Sequence, residues 1–184
     1  MGEIPNRFLF SWLKRSIREQ ITKKKYEKNN FKNIFVALII NKENSTYEIY
    51  LVNQTNKNYS RVVGLTGAYM TCDEDLIQTS QAVKEIGDLP SHSFVFLEGA
   101  DLGGLDFVIW YELDLYNEED KRKPEMTRFS LPKYSWIFEK EMLALPILNT
   151  KGLRIELGER SEHETIEEMI EHMDIKPKVY KYRK

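Results

Sequence analysis

The run His163-Glu164-Thr165-Ile166-Glu167 is the place where this chain comes nearest to the zinc helix of a metalloprotease. That chemistry needs histidines at i and i+4, so that two imidazoles meet one ion with a glutamate between them as base. Here Glu167 stands in the second ligand position, and His172 lies nine residues after His163 on a different helical face. The run reads as the acidic first turn of a solvated helix, whose carboxylates suit the helix dipole. Cys72 would serve as a nucleophile if His92 approached it, but Asp73, Glu74 and Asp75 disfavour a thiolate. It reads as an inert cysteine near a strand end.

Other groups fare similarly. Gly99-Ala100-Asp101-Leu102-Gly103-Gly104 lacks the Lys-Ser/Thr of a phosphate-binding loop and reads as a turn between strands. Asp101, Asp106, Glu112 and Asp114 do not follow the alternate spacing of a calcium loop. Trp110, Tyr111, Trp136 and Phe138 would line a ligand groove, but aromatic residues at strand alternation read first as core. The expectation is a non-enzymatic protein with no catalytic set, no metal site and no cofactor.

The elements that would position a binding surface are clearer. The chain has 184 residues, enough for one domain with appendages. Its 41% hydrophobic and 12% aromatic content suits a packed core and excludes compositional disorder. One cysteine excludes an internal disulfide framework and fits a reducing compartment. The longest apolar run, Ile34 to Ile40, is far short of the ~20 residues that span a bilayer, and the start lacks a secretory signal. A soluble cytoplasmic protein is expected.

The net charge of −2 conceals a segregation. Residues 1–32 carry nine basic and three acidic side chains, residues 33–175 thirteen and twenty-six, and residues 176–184 five and none. An acidic body lies between two basic ends.

From Asn6 to Lys28 the pattern is helical. Leu9, Phe10, Leu13, Ile17 and Ile21 share one arc, and Arg7, Lys14, Arg15, Arg18 and Lys25 adjoin it. Three readings compete for this basic amphipathic segment. It docks its stripe on its own body; it enters a groove on a partner; or it contacts a polyanion, with Phe8 and Trp12 at an anionic membrane surface or with phosphates on nucleic acid. Lys23, Lys24 and Lys25, with Lys178, Lys181 and Arg183 in the tail, suit phosphate contact, and Tyr180 and Tyr182 suit base stacking.

From Phe31 the period changes to two. Ile34–Ile40 reads as a central strand, Tyr47–Val52 as a second, and a third lies within Arg61–Met70. Ile77–Ile86 and Phe94–Leu97 flank a turn at Gly87–Ser91. In Leu105–Tyr116, Phe107, Ile109, Tyr111, Leu113 and Leu115 point one way and Trp110, Glu112 and Asp114 the other. Thr127–Leu131 and Leu153–Leu157 add strands. Trp136–Leu145 reads as a helix stopped by Pro146, and Ser161-Glu162-His163-Glu164 as a capping box opening a helix through Met173. Short strands with frequent turns predict a mainly β chain built as a β-sandwich.

Tyr47–Asn53 with its polar loop, Ile86–Phe94 with its Leu-Pro-x-x-Ser-like turn, and Glu141–Gly152 together resemble short bacterial immunoglobulin-like β-sandwich proteins over residues 47–152. The resemblance implies an immunoglobulin-like antiparallel fold and no activity. The expected organisation is a basic helical arm at 1–30, a β-sandwich at 31–158, and a C-terminal helix with a basic tail at 159–184. The expected function is protein–protein interaction, as an accessory or scaffold module. Leu9, Phe10, Trp12, Leu13, Ile17 and Ile21 would be buried on a protein partner or a second copy, with Arg15 and Arg18 steering the encounter. Nucleic-acid binding through the two basic ends is the alternative.

Overall fold

The computed structural model describes residues 34–72, 75–119, 122–133, 142–160, 164–173 and 178–181. The basic segment Leu9–Lys25, Trp136, Phe138, His163 and Arg183 lie outside these residues. The described chain is mainly β, with two sheets and one short C-terminal helix.

In chain order the strands are β1 (Ile34–Asn41), β2 (Thr46–Asn53), β3 (Tyr59–Cys72), β4 (Asp75–Gln78), β5 (Ala82–Leu89) and β6 (Ser93–Asp101). A 3-10 turn at Leu102–Asp106 precedes β7 (Val108–Asn117), β8 (Glu125–Leu131), β9 (Leu143–Leu145), β10 (Thr150–Glu156) and β11 (Gly158–Glu159). Helix α1 (Ile166–His172) and β12 (Lys178–Lys181) follow. One sheet has the order β6-β2-β1-β10-β9; the other runs β11-β8-β7-β3-β5-β12, with β4 paired to β3. Pairing is antiparallel except for β12, which lies parallel to β5.

β1 is central, as its two-sided apolar sequence requires: Phe35, Val36, Ala37 and Leu38 are all buried between β2 and β10. Along β7, Ile109, Tyr111, Leu113 and Leu115 are buried on one face. The opposite face is not left to water. Val63, Leu65, Val83 and Tyr116 form a second apolar layer there, covered by Ile166 and by Trp110, Met169, Ile170 and Met173. A third cluster, Phe35, Ala37, Val52 and Leu145, lies with Tyr50, Ile147 and Leu148 on the five-stranded sheet.

Several sequence expectations change. Gly87 lies within β5, not in a turn. Val62 faces Gly87 and Val63 faces Glu85, so Ile86 is an extra residue, and Gly87 takes φ 108° at this bulge. The turn falls beyond it, at Pro90–His92. Ile77 and Ile86 belong to separate strands. β7 begins at Val108, because Leu102–Asp106 closes into a 3-10 turn. Leu143–Leu145 is strand and not helix: it pairs with Thr150–Gly152 across the Pro146–Leu148 turn, and this pairing satisfies backbone groups that Pro146 would leave unpaired in a helix. The capping box is Thr165 with Glu168, one turn after Ser161-x-x-Glu164, and the helix ends at His172. Lys178–Lys181, read as tail, forms β12.

Candidate interaction site

Bulges and alternation decide which side chains of β2, β5, β6 and β7 meet. Ile49 faces Glu98 while Tyr50 faces Phe96, so Leu97 is the extra residue of a bulge. Without it, Glu98 would share the face of Phe94 and Phe96; with it, Glu98 turns toward the other sheet. There its Oε2 lies 2.7 Å from Lys84 Nζ, and Tyr111 donates to the same oxygen. Lys84 Nζ also donates to Leu97 O at 3.2 Å and contacts Tyr111 OH at 2.5 Å. Tyr47 OH donates to Glu98 Oε1 at 3.3 Å, and burial followed by the Glu98 charge pushes the Tyr47 phenol well above its usual range. Lys84 and Tyr111 belong to one sheet, Tyr47 and Glu98 to the other. The cluster is a polar bridge with its donors and acceptors turned on one another, which suits cross-linking more than substrate chemistry.

A second polar group seats α1. Arg160, whose side chain is fully buried, donates to Asp114 Oδ1 at 2.8 Å and to Glu164 O at 2.6 Å. Asp114 Oδ2 accepts the Ile166 amide at 2.6 Å. Burial pushes the Asp114 carboxyl up, against the pull of the Ile166 N–H and the Arg160 guanidinium. Beside it, Arg61 grips Glu85 with two bonds at 2.8 and 2.9 Å and reaches Glu167 at 2.7 Å, with its guanidinium 5.2 Å above the Tyr116 ring. A cleft of about 470 Å³ lies here, lined by Arg61, Tyr116, Arg122, Glu167, Glu168 and Glu171 among others. Burial, then Asp114 and Glu167, pushes Tyr116 up to about 12.

Among the described residues, the outer face of β2 and β6 carries the most accessible aromatic group. Tyr50 meets Phe94 and Phe96 edge to face, at centroid distances of 5.7 and 5.6 Å. Phe94 is 46% and Phe96 39% exposed, which is unusual for rings of this size. Burial, then the hydrogen bond to Glu48 at 2.8 Å, pushes Tyr50 up to about 12.

The described residues weighed for chemistry do not converge. Trp110 and Tyr111 point to opposite faces of β7: Tyr111 stacks on Phe129 at 5.0 Å, and Trp110 lies over Gly67, where an added Cβ would come within 2.8 Å of its ring. His92 adopts φ 52° in the β5–β6 turn, its Nε2 3.0 Å from Asn56 Oδ1. Thr165 caps α1, Glu167 holds Arg61 and Glu168 closes the capping box, so Thr165 and Glu167 of the zinc-like run are spent on docking a helix. Gly99 and Gly104 allow close approach to Tyr47, where a Cβ would lie 2.9 Å from its carbonyl and 3.0 Å from its hydroxyl respectively. Of the proposed polyanion contacts, Lys178 and Lys181 lie on β12. Among the described residues no group of three or more His, Cys, Asp or Glu side chains is arranged to hold a metal ion, and no helix is long and apolar enough to cross a membrane.

Sequence reasoning missed the buried polar groups. Arg160 and Asp114 are far apart in the chain, and nothing local marks them as partners. The exposed rings were visible as Phe94 and Phe96 at strand alternation, but which face they occupy depends on the bulge at Leu97. No family model, curated protein or solved structure matches this chain.

Proposed function

We propose that this protein is a non-enzymatic protein–protein interaction module, an accessory or scaffold component. The observation that carries the reading is the aromatic group Tyr50, Phe94 and Phe96, with two rings about two-fifths exposed on the outer face of β6. Exposed aromatic residues favour protein interfaces, where they bury large rigid areas at low entropic cost. The basic amphipathic segment supports the same reading, with Leu9, Phe10, Trp12, Leu13, Ile17 and Ile21 buried on the partner and Arg15 and Arg18 steering the encounter. In this proposal the two sheets form an immunoglobulin-like sandwich, supported by the polar bridge between them and by the residue 47–152 resemblance to short bacterial proteins of that type. The setting is the cytoplasm, in keeping with a single cysteine.

The test is affinity capture with the full chain, with residues 1–28 deleted, and with Phe94→Ser/Phe96→Ser. Both variants should keep the thermal transition of the body and lose the co-purifying partner. Retention of the same partner by both variants would sink the proposal. Nucleic-acid binding is the second reading, favoured by the basic residues 1–32 and 176–184. It requires a probe shift that falls steeply with salt and weakens in Lys23→Glu/Lys24→Glu/Lys25→Glu.

A further inference from the structure

Tyr116 lines the cleft beside α1 and is nearly enclosed, with 8% of the residue exposed. Its carbonyl accepts from Ser60 Oγ at 3.3 Å, and its ring lies under the Arg61 guanidinium. The phenol oxygen is placed differently. Among the described residues it has no hydrogen-bond partner, yet it is not sealed from solvent. A buried tyrosine hydroxyl ordinarily finds a partner. After burial and Asp114, the charges of Glu167 and Glu168 act on this phenol, so its oxygen faces the side of the cleft that these two residues line.

The cleft, at about 470 Å³, has room for a small organic molecule, and its charge is unbalanced. Arg61 and Arg122 face Glu167, Glu168 and Glu171, and Glu85 already takes two bonds from Arg61. Glu167 and Glu168 precede Glu171 at i+4 and i+3 spacing, where like charges on a helix repel. Among the described residues the Glu171 carboxylate has no partner.

We propose that this cleft is a binding site for a primary alkylammonium group, whose N–H donors are taken by the Tyr116 hydroxyl, Glu167 and Glu171. An ammonium carries three donors on one tetrahedral centre and no acceptor, which suits acceptors drawn from three separate side chains. A guanidinium instead prefers the paired oxygens of a single carboxylate. Arg61 engages only Oε1 of Glu167, which leaves that carboxylate able to accept again. A phosphate or carboxylate ligand would meet the excess of glutamates. The remaining volume takes an aliphatic stem, which belongs either to a free diamine or to the lysine side chain of a peptide. The site uses neither Phe94, Phe96 nor residues 1–28, so it stands apart from the interaction surface on β6.

Isothermal titration of the full chain at low ionic strength, with diaminobutane and with Nα-acetyl-lysine amide, tests it. One of them should bind with unit stoichiometry, and the tighter of the two tells whether a free amine or a peptide lysine is the source. Tetramethylammonium carries charge but no N–H donor, and should bind about tenfold more weakly or worse. Tyr116→Phe keeps the ring and removes the hydroxyl, so it should weaken binding about tenfold. Glu171→Gln, at an exposed position, should weaken it about threefold. Glu43→Gln, in the β1–β2 turn, should leave it unchanged. If Tyr116→Phe loses its thermal transition, Glu171→Gln and the tetramethylammonium comparison decide. Binding of neither amine, equal binding of tetramethylammonium, or unaltered affinity in the folded cleft variants would each overturn the proposal.

Discussion

Lys84 on β5 and Glu98 on β6 are consecutive-strand neighbours in sequence, yet they meet at 2.7 Å as members of different sheets. Breaking a buried pair leaves one charge uncompensated, whereas replacing both partners with apolar groups removes the desolvation cost. Lys84→Met should destabilise by about 3 kcal/mol, and Lys84→Met/Glu98→Leu should recover part of that loss, the rest being held back by the Tyr111 and Tyr47 hydroxyls that lose their acceptor. Urea unfolding of both variants measures it. Equal losses from the single and the double change would show that the pair is not the bridge.

Asn53 is the corresponding staple at the β2 end of the molecule. Its amide donates to Lys57 O at 2.9 Å, Leu89 O at 3.3 Å and Pro90 O at 2.8 Å, and its Oδ1 accepts from the Thr55 amide at 2.9 Å. The side chain is fully buried and ties the loop after β2 to the turn between β5 and β6. Asn53→Ala orphans several backbone groups and should cost about 2–4 kcal/mol. A midpoint shift of only a few tenths of a kcal/mol would contradict that role.

Arg160→Met should detach α1 before it unfolds the body, because Asp114 would lose the guanidinium at Oδ1 and hold α1 through the Ile166 amide alone. Hydrogen exchange is the measure: residues 166–173 should lose protection while β1 and β2 keep theirs. Simultaneous loss throughout would mean that α1 and the sheets form one cooperative unit.

The Thr165 amide, and after it the Thr165 hydroxyl, lower the Glu168 carboxyl below its usual value. A depressed folded value contributes stability that is present above the unfolded value and lost as pH falls through the folded one. The start of α1 should therefore loosen below about pH 4. Glu168→Gln should remove that acid dependence in exchange measured on residues 165–169, and an unchanged profile would refute the assignment.

At the alkaline end the sign reverses. Tyr47, Tyr50 and Tyr116 are raised, Tyr50 and Tyr116 to about 12, so their contribution is complete below about pH 10 and is lost as pH climbs through the folded values. Phenolate absorbance from these rings should appear late and together with unfolding. Early, independent ionisation with the fold intact would argue against their burial.

Much of the strand inventory was legible in the chain. β1, β2, β3, β7, β8 and β10 follow from apolar runs and period-two alternation, and that signal survives because one or both faces of each strand are buried. The partition of strands between sheets was not legible, since β5 and β6 are joined by a short turn and still part company. Nor were the bulges, because one extra residue at Ile86 or Leu97 leaves no mark in composition. Gly87 was a cue of this kind, but a positive-φ glycine serves a turn and a bulge equally well. The Trp136–Leu145 stretch looked helical from its residue types, and at Leu143–Leu145 pairing with β10 overrode that propensity. The seat of α1 escaped detection because Asp114 looked like the solvent face of an alternating strand, and only Arg160, arriving later in the chain, makes it interior.

The pairings of β1 and β12 also impose an order on synthesis. Ile34–Asn41 emerges first among the described strands, yet it gains its β10 neighbour only when Leu153–Glu156 has been made. The β5 edge gains β12 later still. A chain leaving the ribosome thus holds an apolar strand and an unfilled sheet edge until those partners are made. The nascent protein should depend most on chaperones until Leu153–Glu156 and Lys178–Lys181 have been made.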